Sequence, residues 1–164
     1  MDAIQAIKSR VSIRKYKNMP VPEEILTDIV DCGRTAPTGY NHQPWVFVVI
    51  TDQALRNKIS QAAAYGKFIT HAGACIAVFC NKTKETILED ACAATENIII
   101  AAQSYSLGTC WVNSYKKSHS EEIKQMLACP PEYELMTLIA VGYPDEAKKT
   151  PKKSLDEVLR WNKF

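Results

Sequence analysis

No apolar run in this 164-residue chain nears the roughly twenty residues that cross a bilayer; the longest, such as Ile98 to Ala102, are far too short. The opening residues, Met1-Asp2-Ala3-Ile4-Gln5-Ala6, lack the basic start and long apolar stretch of a secretory leader. A cytoplasmic protein with no membrane partner is therefore expected. Charge of one sign is also scarce: 20 Lys and Arg against 18 Asp and Glu leave a formal net charge of +2. That excludes a general pull towards nucleic acid, so any anion site must be a local cluster. Glycine is sparse, and Gly39 and Gly108 stand isolated. Neither belongs to a Gly-rich strand-turn-helix phosphate loop, and no serine elbow motif is present. Among the six cysteines no pair shows the two-residue gap of zinc knuckles or redox motifs. They read as free, reduced thiols, with Cys75 and Cys80 on opposite faces of one strand. His42, His71 and His119 show no metal-ligand spacing, and no catalytic role is assigned to them.

What is present is the composition of a globular protein, 46% hydrophobic and 23% charged. The length suits one domain over residues 1–164. A short opening helix carries Ile4 and Ile7. Val21-Pro22-Glu23-Glu24 starts a second helix, with acids near its positive dipole end and Ile25, Leu26, Ile29 and Val30 on one face. Ala36 to Pro44 is a loop, and Trp45 to Ile50 reads as a buried strand. Asp52 caps a helix that Gly66 ends. Ala74 to Cys80 is a second buried strand. The longest helix runs from about Thr86 to Leu107 and is stopped by Gly108. Its Ile98-Ile99-Ile100 run is apolar on more than one face, which buries it centrally or against a partner. Thr109 to Val112 is strand or turn. Ser118 with Glu121 spells a capping box for a further helix, Leu135 to Val141 is a strand, and Ser154 with Glu157 opens a short last helix. Helices and strands in this order make a three-layer α/β or α+β domain.

Four segments could carry chemistry. In an extended Arg10-Val11-Ser12-Ile13-Arg14, the residues Arg10, Ser12 and Arg14 face one way, and two guanidinium forks flanking a hydroxyl can hold a phosphate. A solvated basic surface is the other reading of the same spacing. Pro37, Thr38, Gly39, Asn41 and Gln43 form a loop whose amides both donate and accept, which suits a flat heterocycle or a polyol. Gly108 to Ser114 offers small residues that let backbone N–H groups approach a ligand closely. Lys148, Lys149, Lys152 and Lys153 form a basic run.

Together these segments resemble the nitroreductase family of flavoproteins. Arg10-Val11-Ser12-Ile13-Arg14-Lys15-Tyr16 is similar to its N-terminal phosphate motif, and Ala36-Pro37-Thr38-Gly39-Tyr40-Asn41-His42-Gln43-Pro44-Trp45 to its most recognisable motif. Leu107-Gly108-Thr109-Cys110-Trp111-Val112 resembles the loop under the flavin. Val141-Gly142-Tyr143-Pro144 and Lys153-Ser154-Leu155-Asp156-Glu157-Val158 resemble the C-terminal signature. The resemblance implies an α+β fold, a mixed, mostly antiparallel sheet flanked by helices, in a homodimer with FMN at the subunit interface. By motif, Arg10 and Ser12, with Val11 between them, hold the FMN phosphate together with one or both of Lys152 and Lys153. Arg14 lies by the N1/O2 edge, where a cation stabilises reduced flavin. Pro37, Thr38, Gly39, Asn41 and Gln43 reach the flavin from the partner subunit. Backbone of Val112, Asn113 and Ser114 faces the ring, one N–H reaching N5. The implied activity passes a hydride from NADH or NADPH through FMN to a nitroaromatic, quinone or similar small acceptor. The flavin does the chemistry, so no side chain is named as acid, base or nucleophile.

The chain departs from the family pattern at Tyr40, where a small residue is usual, and at Asn113 and Ser114. It also has little sequence between Gly66 and Asp90 with which to build a lid. Specialised family chemistry such as reductive dehalogenation needs such a lid. A flavin-binding protein without turnover, or an anion-binding module without flavin, are the readings outside this enzyme class.

Overall fold

The computed structural model describes residues 1–164 and contains helices and strands in the order that the patterning predicts. They are α1 (Ala3–Ser9), α2 (Glu23–Arg34), β1 (Trp45–Ile50), α3 (Gln53–Ala62), β2 (Ala74–Asn81) and α4 (Ile87–Ser104). After them come β3 (Gly108–Asn113), α5 (Ser120–Met126), β4 (Tyr133–Gly142) and α6 (Leu155–Val158). Short 3₁₀ turns lie at Gly39–Asn41 and Lys67–His71.

The strands pair in the order β1-β2-β4-β3, and every ladder is antiparallel. The one parallel pairing is an isolated bridge between Ser12 and Thr109. The fold is thus α+β. The two central strands, β2 and β4, are nearly continuous in apolar residues because both of their faces are covered. Side-chain alternation sends Ala74, Ile76, Val78 and Cys80 into a core with Leu26 and Ile29 of α2 and Ala91 and Ile98 of α4. It sends Cys75, Ala77 and Phe79 to the opposite core, with Ile59 of α3 and Ile123 of α5. Fully buried residues such as Ile76 and Ile139 each contribute about 2–3 kcal/mol by leaving water. All six cysteines are free, and burial pushes the Cys75 and Cys80 thiols up to about 12, which makes them inert.

Several expectations are corrected. β1 is a sheet edge rather than a buried strand: only Ile50 is buried, and Val46 and Val49 are exposed. Gly66 does not end α3, which closes at Ala63; Gly66 instead opens the 3₁₀ turn. Ser118 does not cap α5, whose N-cap is His119. Nor does Gly108 stop α4: that helix ends at Ser104 and the chain reverses at Ser106, with φ 59°. Gly108 opens β3, and space is what demands glycine there. A Cβ would sit 2.8 Å from Ile13, drawn close because its N–H donates to the Thr109 carbonyl at 2.8 Å. Most of the apolar run of α4 is buried centrally, with Ile98 and Ile99 buried and Ile98 packed onto Gly33, while Ile100 is half-buried. Apolar surface is left uncovered on Leu88 of α4, on Ile4 and Ile7 of α1, and on Leu155, Val158, Leu159 and Trp161 of the C-terminal tail.

Candidate functional site

The segment from Arg10 to Lys17 is a strap laid along the β3 edge of the sheet. It is stitched by the Ser12–Thr109 bridge, by a Tyr16–Pro144 bridge and by the Lys17 N–H donating to the Tyr143 carbonyl at 2.9 Å. Val11 and Ile13 turn into the core beneath, which leaves Arg10, Ser12 and Arg14 on the other side, as period two requires. Tyr16 is buried, and its hydroxyl donates to the Ile13 carbonyl at 2.6 Å. Burial raises its pKa far above the ordinary value. Glu146 clamps the strap from outside, its Oε1 accepting the N–H groups of Arg14 at 2.6 Å and Lys15 at 3.1 Å. The Arg14 N–H is the main cause that holds the Glu146 carboxyl below its usual range. Sequence reasoning missed this residue and saw in its surroundings only the basic run that begins at Lys148.

Arg14 faces a cavity of about 430 Å³ together with Phe68, Trp111, Val112, Asn113 and His119. Its guanidinium lies 5.8 Å from the centre of the Phe68 ring, within cation–π range. The cavity therefore joins the expected cation to the backbone of β3. Arg10 stands apart from this lining, with Glu96 of α4 as its charged neighbour at 4.0 Å.

Ser114 is fully buried beneath β3 rather than on the cavity wall. Its hydroxyl donates to the Val112 carbonyl at 3.3 Å, which spends its one proton. His119 Nε2, 3.1 Å from that oxygen, is thereby assigned as an N–H donor. The Ser120 hydroxyl closes the set by donating to the Ser114 carbonyl. The His119 ring thus braces the backbone that borders the cavity. No sequence spacing signalled this, because the contact depends on the turn from β3 into α5.

Burial, and then the Lys117 charge, lower the His119 pKa below 6.5. As pH falls, the unfolded chain then takes up this proton before the folded chain does. The stability from neutral His119 is complete above about pH 6.5 and is lost as pH drops towards the folded value. Urea unfolding should show wild type losing stability relative to His119→Gln between about pH 7.5 and pH 5.5. Parallel curves for the two proteins would mean that the buried ring does not titrate.

The loop of Pro37, Thr38, Gly39, Asn41 and Gln43 lies at the start of α4, held by a residue that sequence reasoning also missed. Buried Asp90 accepts the Gly39 N–H at 3.1 Å and the Thr86 hydroxyl at 2.9 Å. A Cβ on Gly39 would meet Thr86 Oγ1 at 2.6 Å, so this approach needs glycine. Tyr40, Asn41 and Gln43 all have positive φ, between 46° and 57°. Such conformations cost non-glycine residues about 1 kcal/mol or more each and concentrate at functional sites. Asn41 and Gln43 are exposed and bond to one another at 3.2 Å. No hydrogen bond or ion pair joins this loop to the Arg10–Arg14 strap or to Val112–Ser114. Lys152 and Lys153 are exposed in the tail and form no ion pair. No helix is long and apolar enough to cross a membrane, and no group of three or more His, Cys, Asp or Glu could hold a metal ion.

Comparison with known proteins agrees with this geometry. A solved structure, an FMN-dependent nitroreductase from Clostridium difficile R20291, superposes with a TM-score of 0.92 at 29% identity, covering 98% of this chain and 99% of that one. A relative from Methanothermobacter thermautotrophicus, named "Putative NADH dehydrogenase/NAD(P)H nitroreductase", is 34% identical over 151 residues, 89% of this chain and 79% of its own. An iodotyrosine deiodinase from Thermotoga neapolitana is 25% identical over 183 residues, 96% of each chain. The family model described as "Nitroreductase family" matches residues 7–74 and 64–143, which together take in the strap, the 37–43 loop, the cavity and the whole sheet, and the chain belongs to that family.

Proposed function

We propose that this chain is an FMN-dependent oxidoreductase, working as a homodimer, that passes reducing equivalents from NADH or NADPH to a small acceptor such as a nitroaromatic or a quinone. The observation that carries the reading is the convergence of Arg14 and the Val112–Asn113 backbone on one cavity with aromatic walls. Its volume, about 430 Å³, suits a small-molecule ligand. The side chains fit FMN. Arg10 has Glu96 as its sole ion-pair neighbour, at 4.0 Å, too long for a hydrogen bond, so its fork is free for a phosphate. Ser12 sits beside it on the strap, and the exposed Lys152 and Lys153 are free to add charge. Arg14 makes no side-chain hydrogen bond and is available to the electron-rich edge of the ring. Bound there, FMN supplies hydride and electron exchange, while the protein supplies position and electrostatics. The separation of Asn41 and Gln43 from this cavity supports a site completed by a second copy, whose own loop enters from across the interface.

The structure also bears on the acceptor. Between Gly66 and Asp90 the chain is taken up by the Lys67–His71 turn, β2, one short turn and the start of α4. No insert remains to close over a large substrate, which supports small acceptors of varied shape. The test is a purified, yellow protein mixed anaerobically with NADH or NADPH. Its flavin colour should bleach and then return on adding a nitroaromatic or quinone, and heat or acid should release FMN rather than FAD. Released FAD, or colour that neither nicotinamide bleaches, would overturn the reading. A halogenated tyrosine belongs in the acceptor panel; turnover with it alone would replace the small-acceptor assignment by dehalogenation.

A further inference from the structure

A second cavity, of about 600 Å³, lies away from the Arg14 cavity, between the strap, α3 and the Lys67–His71 turn. Its chemistry is set by Arg56. That residue is only 6% exposed, yet no carboxylate lies within ion-pair distance of it. Its Nη1 donates to the Thr51 carbonyl and its Nη2 to Gln53 Oε1 at 2.6 Å, while its buried Nε has no partner. A guanidinium carries five N–H donors, so more than half of this one's capacity is unspent.

The lining adds donors and no carboxylate; Asp52, the α3 N-cap, acts on Arg56 only from beyond ion-pair distance and accepts the Leu55 N–H. Asn57 Oδ1 accepts from both Gln53 Nε2, at 2.8 Å, and the Thr70 hydroxyl, which leaves the Asn57 NH₂ unengaged. Gln53 Nε2 also donates to the Thr70 carbonyl at 2.9 Å. The acceptors around Arg56 are therefore occupied, while Asn57 offers a free NH₂ and Asn18 and His71 present side chains with no hydrogen bond of their own. None of the 13 lining residues is Asp or Glu. A pocket with a buried, unpaired cation and a surplus of donors is complementary to an anion.

We propose that this cavity binds a small organic anion, its carboxylate or phosphate group seated on Arg56 and Asn57. The volume exceeds what a bare ion needs and leaves room for a short carbon skeleton. The site is separate from the flavin cavity, with which it shares no lining residue.

The experiment uses FMN-saturated protein, so that the phosphate contacts of the strap are already filled. Inorganic phosphate and succinate are titrated separately at constant ionic strength. The readouts are the Arg56 Nε–H resonance and the melting temperature, which rises with any ligand that binds only the folded state. At least one of the two anions should saturate both readouts, and the tighter one identifies the headgroup chemistry. Asn57→Asp keeps the acceptor for Gln53 and Thr70 but places a carboxylate beside Arg56 in the anion's stead. It should weaken binding at least about tenfold, the equivalent of one charge-assisted hydrogen bond, without lowering the melting temperature of anion-free protein. Arg56→Met should abolish binding. If neither anion moves the Arg56 resonance, the site does not exist. Binding that Asn57→Asp leaves unchanged would place the anion elsewhere and equally overturn the proposal.

Discussion

Replacing Arg10 with alanine should weaken FMN binding by roughly tenfold to a hundredfold while leaving riboflavin binding almost unchanged. The magnitude follows from the loss of one charge-assisted hydrogen bond to phosphate, about 1.5–3 kcal/mol. Riboflavin lacks the phosphate, so it isolates the contact at issue. The fold should tolerate the change. The one ion pair of Arg10 spans 4.0 Å to a half-exposed Glu96, and such a pair contributes about 1 kcal/mol at most. Flavin fluorescence on titrating unloaded protein with each compound gives both affinities. Equal losses for FMN and riboflavin would remove Arg10 from the phosphate. A normal FMN affinity in the variant would do the same.

The order of elements was legible because each carries its own local signal. Asp52 accepts the Leu55 N–H at 2.7 Å, as a helix cap should, and Ser154 and Glu157 form the capping box that their spacing spells. Alternation in β2 correctly separates Cys75 from Cys80. What failed was information held between elements. Trp45 to Ile50 reads as a buried strand because its residues are apolar throughout; nothing local says that the sheet ends there. Gly108 reads as a helix stop because glycine commonly is one, whereas the need for it comes from Ile13, nearly a hundred residues earlier. Ser118 and Glu121 have capping-box spacing, but α5 starts later, once Ser120 has bonded to Ser114.

The site divides along the same line. Arg10, Ser12 and Arg14 are visible as a period-two pattern, and the strap preserves that pattern by pairing with β3. The residues that position them are invisible in the sequence. Glu146 reaches Arg14 across 132 residues, and Asp90 reaches Gly39 across 51. Each is one acid among 18 until the fold brings its partner near. His119 is likewise an unremarked histidine until the β3–α5 turn sets it against Ser114. Sequence hydrophobicity located the surplus on α4, where Ile98 and Ile99 are buried inside the chain while Ile100 stays half-buried and Leu88 exposed. Further uncovered apolar residues lie on α1 and the C-terminal tail, where Trp161 is 80% exposed. Exposed apolar surface at both chain ends is surface that a second copy would bury.

That surface, and the distance in contacts between the 37–43 loop and the strap, lead to the strongest test of a shared site. Arg10→Ala in one preparation, and Asn41→Ala with Gln43→Ala in another, should each be nearly inactive when FMN is limiting. Asn41 and Gln43 are exposed and bond mainly to each other, so the double change should spare the fold. Co-refolding equal amounts makes heterodimers about half of all dimers by random pairing in an isologous assembly. If the loop of one copy completes the strap of the other, one site in each heterodimer collects both lesions and the other collects none. Activity should then recover from near zero to about a quarter of wild type, half of the dimers each with half of their sites intact. If both segments served the same chain's site, every site in the mixture would still carry a lesion. Heterodimers verified by differential tagging, yet inactive, would therefore return Asn41 and Gln43 to the cavity of their own chain. Recovery at a quarter would place them across the interface, and would explain why a loop with three residues at positive φ meets no ligand-binding group of its own subunit.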